Sequence, residues 1–371
     1  MAYRLCLVGG GTGGHVYPLI AVARSFQDYL AQQNQAVEFM VLGEGRFLAR
    51  AAVENNLPFK SILAGKLRRY FSPLTILDIF KFPIGFIQSL WYLYWFMPDA
   101  IFSKGGFASV GPGIVAKLYA IPLYIHESDS VPGLSNKILG TLANKVFVAF
   151  ETAKSYFNPK KVYLVGNPIR KELFGADRNQ SLQYFNFSVD KKVILVLGGS
   201  LGAKRINDLI MENLVQLVQN YQIIHQCGEA NFGTLQSEVG KINDDGKLNN
   251  YKLFPFLDSQ QLAAAYAACD VIISRAGATF ISEIAMAGKP VILIPLPNTS
   301  SRGEQITNAL ELTKFGAVAI EESNLTTHIL MNQIENILDP AKYNKISEQI
   351  KSFATPDAAD KIATEIYGPR V

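Results

Sequence analysis

The 371-residue chain holds only three cysteines, Cys6, Cys227 and Cys269. They are far apart and odd in number, which excludes a disulfide framework and any zinc spacing and points to a reducing compartment. Charge of one sign is also scarce: 35 Lys and Arg stand against 31 Asp and Glu, a net +4. That excess is too small to argue for nucleic acid, although clustered positive charge would suit an anionic membrane or substrate. No signal peptide is read at the start, because the apolar run before Gly9 is four residues long. Short-period repeats and low-complexity tracts are lacking. So is an apolar stretch of the roughly 20 residues that a spanning helix needs. With 49% hydrophobic and 18% charged residues, disorder is excluded and a soluble or surface-bound globular protein is implied.

What is present is alternation. Strand-like runs fall at Arg4–Val8, Val37–Leu42, Ala100–Phe102, Leu123–His126, Lys145–Val148 and Val162–Val165. A second series falls at Val193–Leu197, Gln222–His225, Tyr251–Phe254, Val271–Ser274, Val291–Ile294 and Ala317–Ile320. Helical stretches between most of them predict parallel sheets covered on both faces. Twelve strands exceed one compact open sheet, so two sheets of six are expected. The boundary is placed at Gly166-Asn167-Pro168, giving domains 1–166 and 167–345. A last helix is expected over about Ala341–Tyr367, and the stretch from about 346 to 371 is free to pack back on the first domain.

Each series opens with a glycine loop. GGGTGGHVYP, residues 9 to 18, lies between a strand and a helix, as does GGSLGAK at 198–204. Glycines there let backbone N–H groups approach an anion, and the helix N-terminus adds partial positive charge. Gly9, Gly11 and Gly14 fit G-x-G-x-x-G, a weak match alone. A nucleotide cradle has no need of His15 or Pro18. Lys104-Gly-Gly-Phe107 and His126-Glu127-Ser128-Asp129 also follow strands, so His15, Lys104, Glu127 and Asp129 should share one sheet edge. A carboxylate and an imidazole beside a phosphate loop suit proton abstraction from a hydroxyl. His126 is read as a satisfied structural histidine.

In the second half, Ser274-Arg275-Ala276-Gly277 opens a helix on which Glu283 lies one turn beyond Thr279. A carboxylate there can accept two ribose hydroxyls, while Arg275 and the helix N-terminus can hold a phosphate. Taken alone, Glu283 reads as a solvated helix face. Glu304, Gln305 and Asn308 offer polar groups to a sugar.

One uncharged segment stands apart, Phe82 to Met97, FPIGFIQSLWYLYWFM. It is expected to be a helix with one face in the core and one at a bilayer surface. Trp91, Tyr92, Tyr94 and Trp95 suit the headgroup zone, and Lys66, Arg68, Arg69 and Lys81 can meet anionic lipid.

Together the stretches GGTGGHVYPLIAVA, KGGFAS with GP, HES with PG and SNK, VGNPIR, GGSLGA, SRAGA with SEIAMAGKP, and EQITNA before FGA resemble, in order and over nearly the whole chain, the bacterial peptidoglycan N-acetylglucosaminyltransferases of the MurG family. The resemblance implies a GT-B fold: two doubly wound Rossmann-like domains facing across a cleft. It implies transfer of N-acetylglucosamine from UDP-N-acetylglucosamine to lipid I, giving lipid II. It implies a peripheral place on the cytoplasmic face of the cell membrane through residues about 66–97, work among other cell-wall enzymes, and neither metal, cofactor nor nucleic acid. Carried over, Gly10, Gly11, Thr12, Gly13, Gly14, Lys104, Gly105 and Gly106 face the acceptor pyrophosphate. His15, Glu127 and Asp129 are the catalytic candidates. Thr12, Gly13, Gly14, Asn136, Arg170, Ser200, Leu257, Arg275, Ala276, Glu283, Glu304 and Gln305 are the donor-side candidates, with Glu283 on the ribose and Leu257 at the uracil. Departures from the family pattern are Ser128 and Asp129 for glutamine and asparagine, Glu304 for the first of a glutamine pair, Leu201 for glutamine and Phe107 for tyrosine. The alternatives are a related transferase with another lipid acceptor or nucleotide sugar, a UDP-sugar epimerase, a Rossmann oxidoreductase, and an inactive membrane-binding scaffold.

Overall fold

The computed structural model describes residues 2–10, 13–65, 73–199, 202–242, 248–299 and 303–368, with the backbone alone for 73–80. Gly11, Thr12, Ser200, Leu201, Lys66, Arg68 and Arg69 lie outside the described residues. The chain divides into two compact units. One is Met1–Arg170 with Thr355–Val371, and the other is Lys171–Ala354.

The first unit runs β1 (Tyr3–Gly10), α1 (Gly13–Gln32), β2 (Val37–Glu44), α2 (Arg46–Glu54), β3 (Phe59–Ser61), α3 (Pro73–Phe96), β4 (Ala100–Ser103), α4 (Val110–Leu118), β5 (Leu123–Glu127), α5 (Leu134–Leu142), β6 (Lys145–Val148) and β7 (Val162–Leu164). The second runs α6 (Arg178–Tyr184), β8 (Lys192–Leu197), α7 (Lys204–Glu212), α8 (Leu214–Asn220), β9 (Tyr221–Gln226), α9 (Glu229–Ile242), β10 (Tyr251–Phe254), α10 (Ser259–Ala268), β11 (Val271–Ser274), α11 (Ala278–Ala287), β12 (Val291–Leu293), α12 (Glu304–Thr313), β13 (Val318–Ala319), α13 (Thr327–Leu338) and α14 (Pro340–Ser352). The closing α15 (Ala358–Tyr367) belongs to the first unit.

Both sheets are parallel. Their orders are β3-β2-β1-β4-β5-β6-β7 and β10-β9-β8-β11-β12-β13. The first strand of each unit is central, and the chain leaves it first to one side and then to the other. This is the doubly wound pattern of the expected GT-B class, with its switch point between β1 and β4 and between β8 and β11. The continuous apolar runs Val193–Leu197 and Val271–Ile273 are wholly buried, as strands covered on both faces must be.

The first sheet has seven strands rather than the six expected. The extra one, β3, is a three-residue edge strand, Phe-Lys-Ser, whose side chains are mostly exposed and so carry no apolar pattern. The expected single last helix is two helices. The break at Phe353–Asp357 contains Pro356, which cannot continue a helix. α14 packs on α11 of the second unit, while α15 packs on α1 of the first. The chain therefore returns to the first unit at Thr355, not near residue 346.

α3 follows an i, i+4 plan. Gly85, Ser89 and Leu93 are buried against α4 and the core, while Ile87, Trp91, Tyr94 and Trp95 are exposed. A Cβ at Gly85 would fall 1.9 Å from the Leu63 carbonyl oxygen, so only glycine permits this approach. Among the described residues, no helix is long and apolar enough to cross a membrane.

Candidate functional site

In the first unit, β1, β4 and β5 are neighbours and end at the same sheet edge. Their C-terminal ends carry Gly9-Gly10, Lys104-Gly105-Gly106 and His126-Glu127-Ser128-Asp129. Gly13, Gly14 and His15 form the first turn of α1, directly behind the glycine loop. The edge therefore gathers His15, Lys104, Glu127 and Asp129. Arg170 closes the unit with its guanidinium 3.8 Å from the centre of the Tyr17 ring on α1.

Lys104 is not presented to a ligand. The residue is 1% exposed, and its ammonium is taken up by His126 Nδ1 at 2.6 Å and by Ser128 Oγ. The family resemblance implies a place in the pyrophosphate loop, but hydrogen bonds to His126 and Ser128 at the end of β5 turn it inward instead. Burial pushes its pKa down to about 7, with Glu127 and Asp129 pulling the other way. His126 lies fully buried between Lys104 and the Gly166 carbonyl, 2.8 Å from Nε2. Burial, then the charge of Lys104, holds it well below the ordinary imidazole range, which fits the structural role read for it.

Glu127 is 3% exposed, and its carboxylate accepts from Asp129 N at 3.0 Å, Gly133 N at 3.1 Å and Asn136 Nδ2 at 3.0 Å. Burial, then the charge of Asp129, raises its pKa to about 7. Its bonds thus organise the turn from 127 to 133. Asn136, expected on the donor side, is a partner of Glu127 inside the first unit, with its Oδ1 beside Gly105. At Gly105, φ is +85° and a Cβ would fall 2.6 Å from that oxygen, so the first glycine of the loop is sterically required.

In the second unit, β8 and β11 end side by side at Gly198-Gly199 and Ser274-Arg275-Ala276-Gly277. No side chain caps α11, whose N-cap is Gly277, and none caps α12, whose N-cap is Gly303. Their first N–H groups suit an anion or sugar oxygen. Glu283 is 1% exposed, which removes the solvated-face alternative; its Oε2 accepts from Tyr266 at 3.2 Å. A carboxylate one turn into α11 can accept hydrogen bonds from a diol. Arg275 turns back into the unit: Nη1 donates to the Ile294 carbonyl at 3.1 Å and lies 2.5 Å from Glu322 Oε2. Around this edge, Leu257 N donates to Gln226 Oε1, Leu296 N to Gln305 Oε1 and Asn308 Nδ2 to the Ala276 carbonyl, at 3.2, 3.1 and 3.3 Å. Glu304 opens α12.

Several participants escaped the sequence reading. Tyr266 is the lone aromatic of an alanine-rich helix, which was its only signal. Phe280, just inside α11, carries its ring to 3.8 Å from where a Cβ would sit on both Gly199 and Gly277, a proximity that no pattern announces. Asn167, 1% exposed, accepts from Ser128 Oγ at 3.1 Å, yet in the sequence it reads only as a boundary residue.

The model of the glycosyltransferase family 28 N-terminal domain matches residues 5–148, and that of the family 28 C-terminal domain matches residues 193–362. A Legionella pneumophila (strain Paris) protein named UDP-N-acetylglucosamine–N-acetylmuramyl-(pentapeptide) pyrophosphoryl-undecaprenol N-acetylglucosamine transferase is 37% identical over 369 residues, covering 99% of this chain and 97% of that protein. A Flavobacterium psychrophilum protein of the same name is 36% identical over 367 residues, 98% and 97% of the two chains. Among solved structures, Acinetobacter baumannii MurG is similar with a TM-score of 0.72 at 26% identity, over 98% of this chain and 99% of that one.

Proposed function

The chain belongs to glycosyltransferase family 28, and from that premise we infer that it transfers N-acetylglucosamine from UDP-N-acetylglucosamine to the muramyl sugar of lipid I, yielding the lipid II used for peptidoglycan. Near-full-length similarity to proteins named for that reaction carries this reading, and the chemistry of the two sheet edges supports it.

The second unit holds the donor. Glu283 takes the ribose hydroxyls, and the uncapped start of α11 takes the diphosphate. Leu257, Ala276, Glu304 and Gln305 line the same edge. The first unit holds the acceptor, with its pyrophosphate at the Gly10–His15 loop and at Gly105-Gly106. An acceptor hydroxyl attacks the anomeric carbon from the face opposite UDP. The new C–O bond forms as the bond to the β-phosphate oxygen breaks, inverting that centre. His15 or Asp129 takes the hydroxyl proton. Glu127 is not that base, since its carboxylate is committed to the turn that carries Asp129. Negative charge building on the departing UDP meets dipoles already in place at α11, which costs no reorganisation. Arg275 joins them only on release from Glu322.

The membrane supplies the acceptor. The exposed aromatic face of α3 lies against the inner leaflet, and Lys81 with the basic residues before it meets anionic headgroups. The protein thus works as a peripheral enzyme on the cytoplasmic face, beside other cell-wall enzymes.

The deciding measurement is sugar transfer to a lipid I analogue from UDP-N-acetylglucosamine, with UDP-glucose and UDP-N-acetylgalactosamine alongside. Transfer only from the first is expected. UDP binding without any transfer would show that Asp129 and Glu304 mark a changed acceptor or donor.

A further inference from the structure

Lys104 has no role in the chemistry as written above, yet it is among the largest fully buried side chains in the molecule. The groups that hold its ammonium are neutral. His126 Nε2 donates to the Gly166 carbonyl at 2.8 Å, which leaves Nδ1 as the acceptor for Lys104. Ser128 Oγ accepts from Lys104 and donates its own hydrogen bond to Asn167 Oδ1. A lone ammonium held only by neutral acceptors in a dry interior is disfavoured unless an opposite charge lies near. Residues 126 and 128 bracket Glu127, whose buried carboxylate has the complementary need. Its three N–H donors come from Asp129, Gly133 and Asn136, and they fix the backbone on which Asp129 rides.

We propose that Lys104 is a positioning residue of the transfer reaction: gripped by the two residues that flank Glu127, it supplies the counter-charge that keeps this buried carboxylate ionised, and the ionised carboxylate holds the turn that presents Asp129. The proposal rests on the transferase reading above. The charged and titratable groups around Lys104 are Glu127 and Asp129 on the turn, His126 on β5, and His15 on α1, which acts through its effect on His126. Burial drives lysine and glutamate toward their neutral forms, and each is drawn back by the other. Acidification below about 7 protonates Glu127 and weakens its hold on the three N–H groups. Alkalinisation above about 7 discharges Lys104 and leaves Glu127 without its counter-charge.

The test uses the full chain, UDP-N-acetylglucosamine and a soluble lipid I analogue between pH 5.5 and 9. Lys104→Met removes the charge and keeps the length. Because Lys104 lowers the pKa of Glu127, its loss should move the acidic limb of the kcat profile upward. The misplaced turn should lower kcat by about tenfold or more at pH 7, with the donor KM nearly unchanged. Adding Glu127→Gln removes the uncompensated charge, so the double variant should transfer faster than the product of the two single losses predicts. An unmoved limb, or a double variant no better than that product, overturns the proposal. Should Lys104→Met fail to fold, Ser128→Ala decides: it withdraws one neutral acceptor, keeps both charges and should shift the limb the same way by less, and no shift overturns the proposal. A wild-type chain that transfers no sugar overturns the transferase reading and this proposal with it, whereas a transferring wild type with unmoved variants overturns this proposal alone.

Discussion

Replacing Trp91 and Trp95 by alanine should release the protein from anionic vesicles while leaving its fold and its chemistry in place. The two indoles meet edge to face at 5.6 Å and are 62% and 67% exposed. The grip of α3 on its own domain comes from the opposite side, through Gly85, Ser89 and Leu93. At about 150–250 Å² for a whole aromatic side chain, the two rings offer roughly 250 Å² to a bilayer. If half of that leaves water, about 25 cal/mol per Å² makes the pair worth about 3 kcal/mol. The double variant should therefore partition about a hundredfold less well into vesicles. Since neither ring fills the core, unfolding should change by no more than about 0.5 kcal/mol. Co-sedimentation with phosphatidylglycerol vesicles over a salt series reads the effect and separates it from the attraction of the basic residues, which salt screens. Transfer to a soluble lipid I analogue should be unchanged, while transfer to acceptor embedded in vesicles should fall. A change in partition of less than about threefold would remove α3 from the membrane contact, because so small an effect matches less than 1 kcal/mol. Loss of transfer to the soluble acceptor would place the rings in the fold or the site instead.

His15→Ala should cut turnover by about 10²–10⁴ through loss of a base, with UDP affinity by calorimetry unchanged; normal turnover would take His15 out of the mechanism. Glu283→Ala should weaken UDP binding at least tenfold and cost about 1–3 kcal/mol on melting, because it removes a buried hydrogen bond from the Tyr266 hydroxyl, and UDP binding equal to wild type would refute its ribose role. Asp270→Asn should lower stability by about 2–3 kcal/mol without touching transfer, since this buried carboxylate gathers Arg178 and Lys192 and accepts from Val193 N. A denaturant midpoint equal to wild type would show that hub to be idle.

The sequence made the doubly wound architecture legible because buried parallel strands are written as apolar runs, and Val193–Leu197 or Val271–Ser274 read as little else. It could not disclose β3, where an edge strand needs backbone partners and no particular side chains. The last helix failed for the converse reason: helical periodicity passes smoothly over Phe353–Asp357, and only tertiary contacts show that its two halves serve different domains. Glycine loops and the residues just after strands located both candidate sites, since topology brings those positions to one edge. Orientation was not legible. Lys104, Glu127 and Glu283 stand out in the sequence as charged groups just after strands or on a helix start, but whether such a side chain faces outward or the interior depends on neighbours such as Ser128, Asn136 and Tyr266.

The return of the chain to its first unit constrains how the protein is made. Ala359, Ile362, Ala363 and Ile366 of α15 share a core with Leu19, Phe26 and Leu30 of α1, and Tyr3 OH donates to the Ile366 carbonyl. On a ribosome that stripe of α1 stays uncovered while all of Lys171–Ala354 is synthesised, about 10–40 s at ordinary elongation rates. The second unit, drawn from one continuous stretch, can be finished before the first. A messenger truncated just ahead of Thr355 would thus yield a chain with a complete second unit and an apolar wound on the first. Chaperone engagement during translation should accordingly centre on α1 and end only when the last dozen residues emerge.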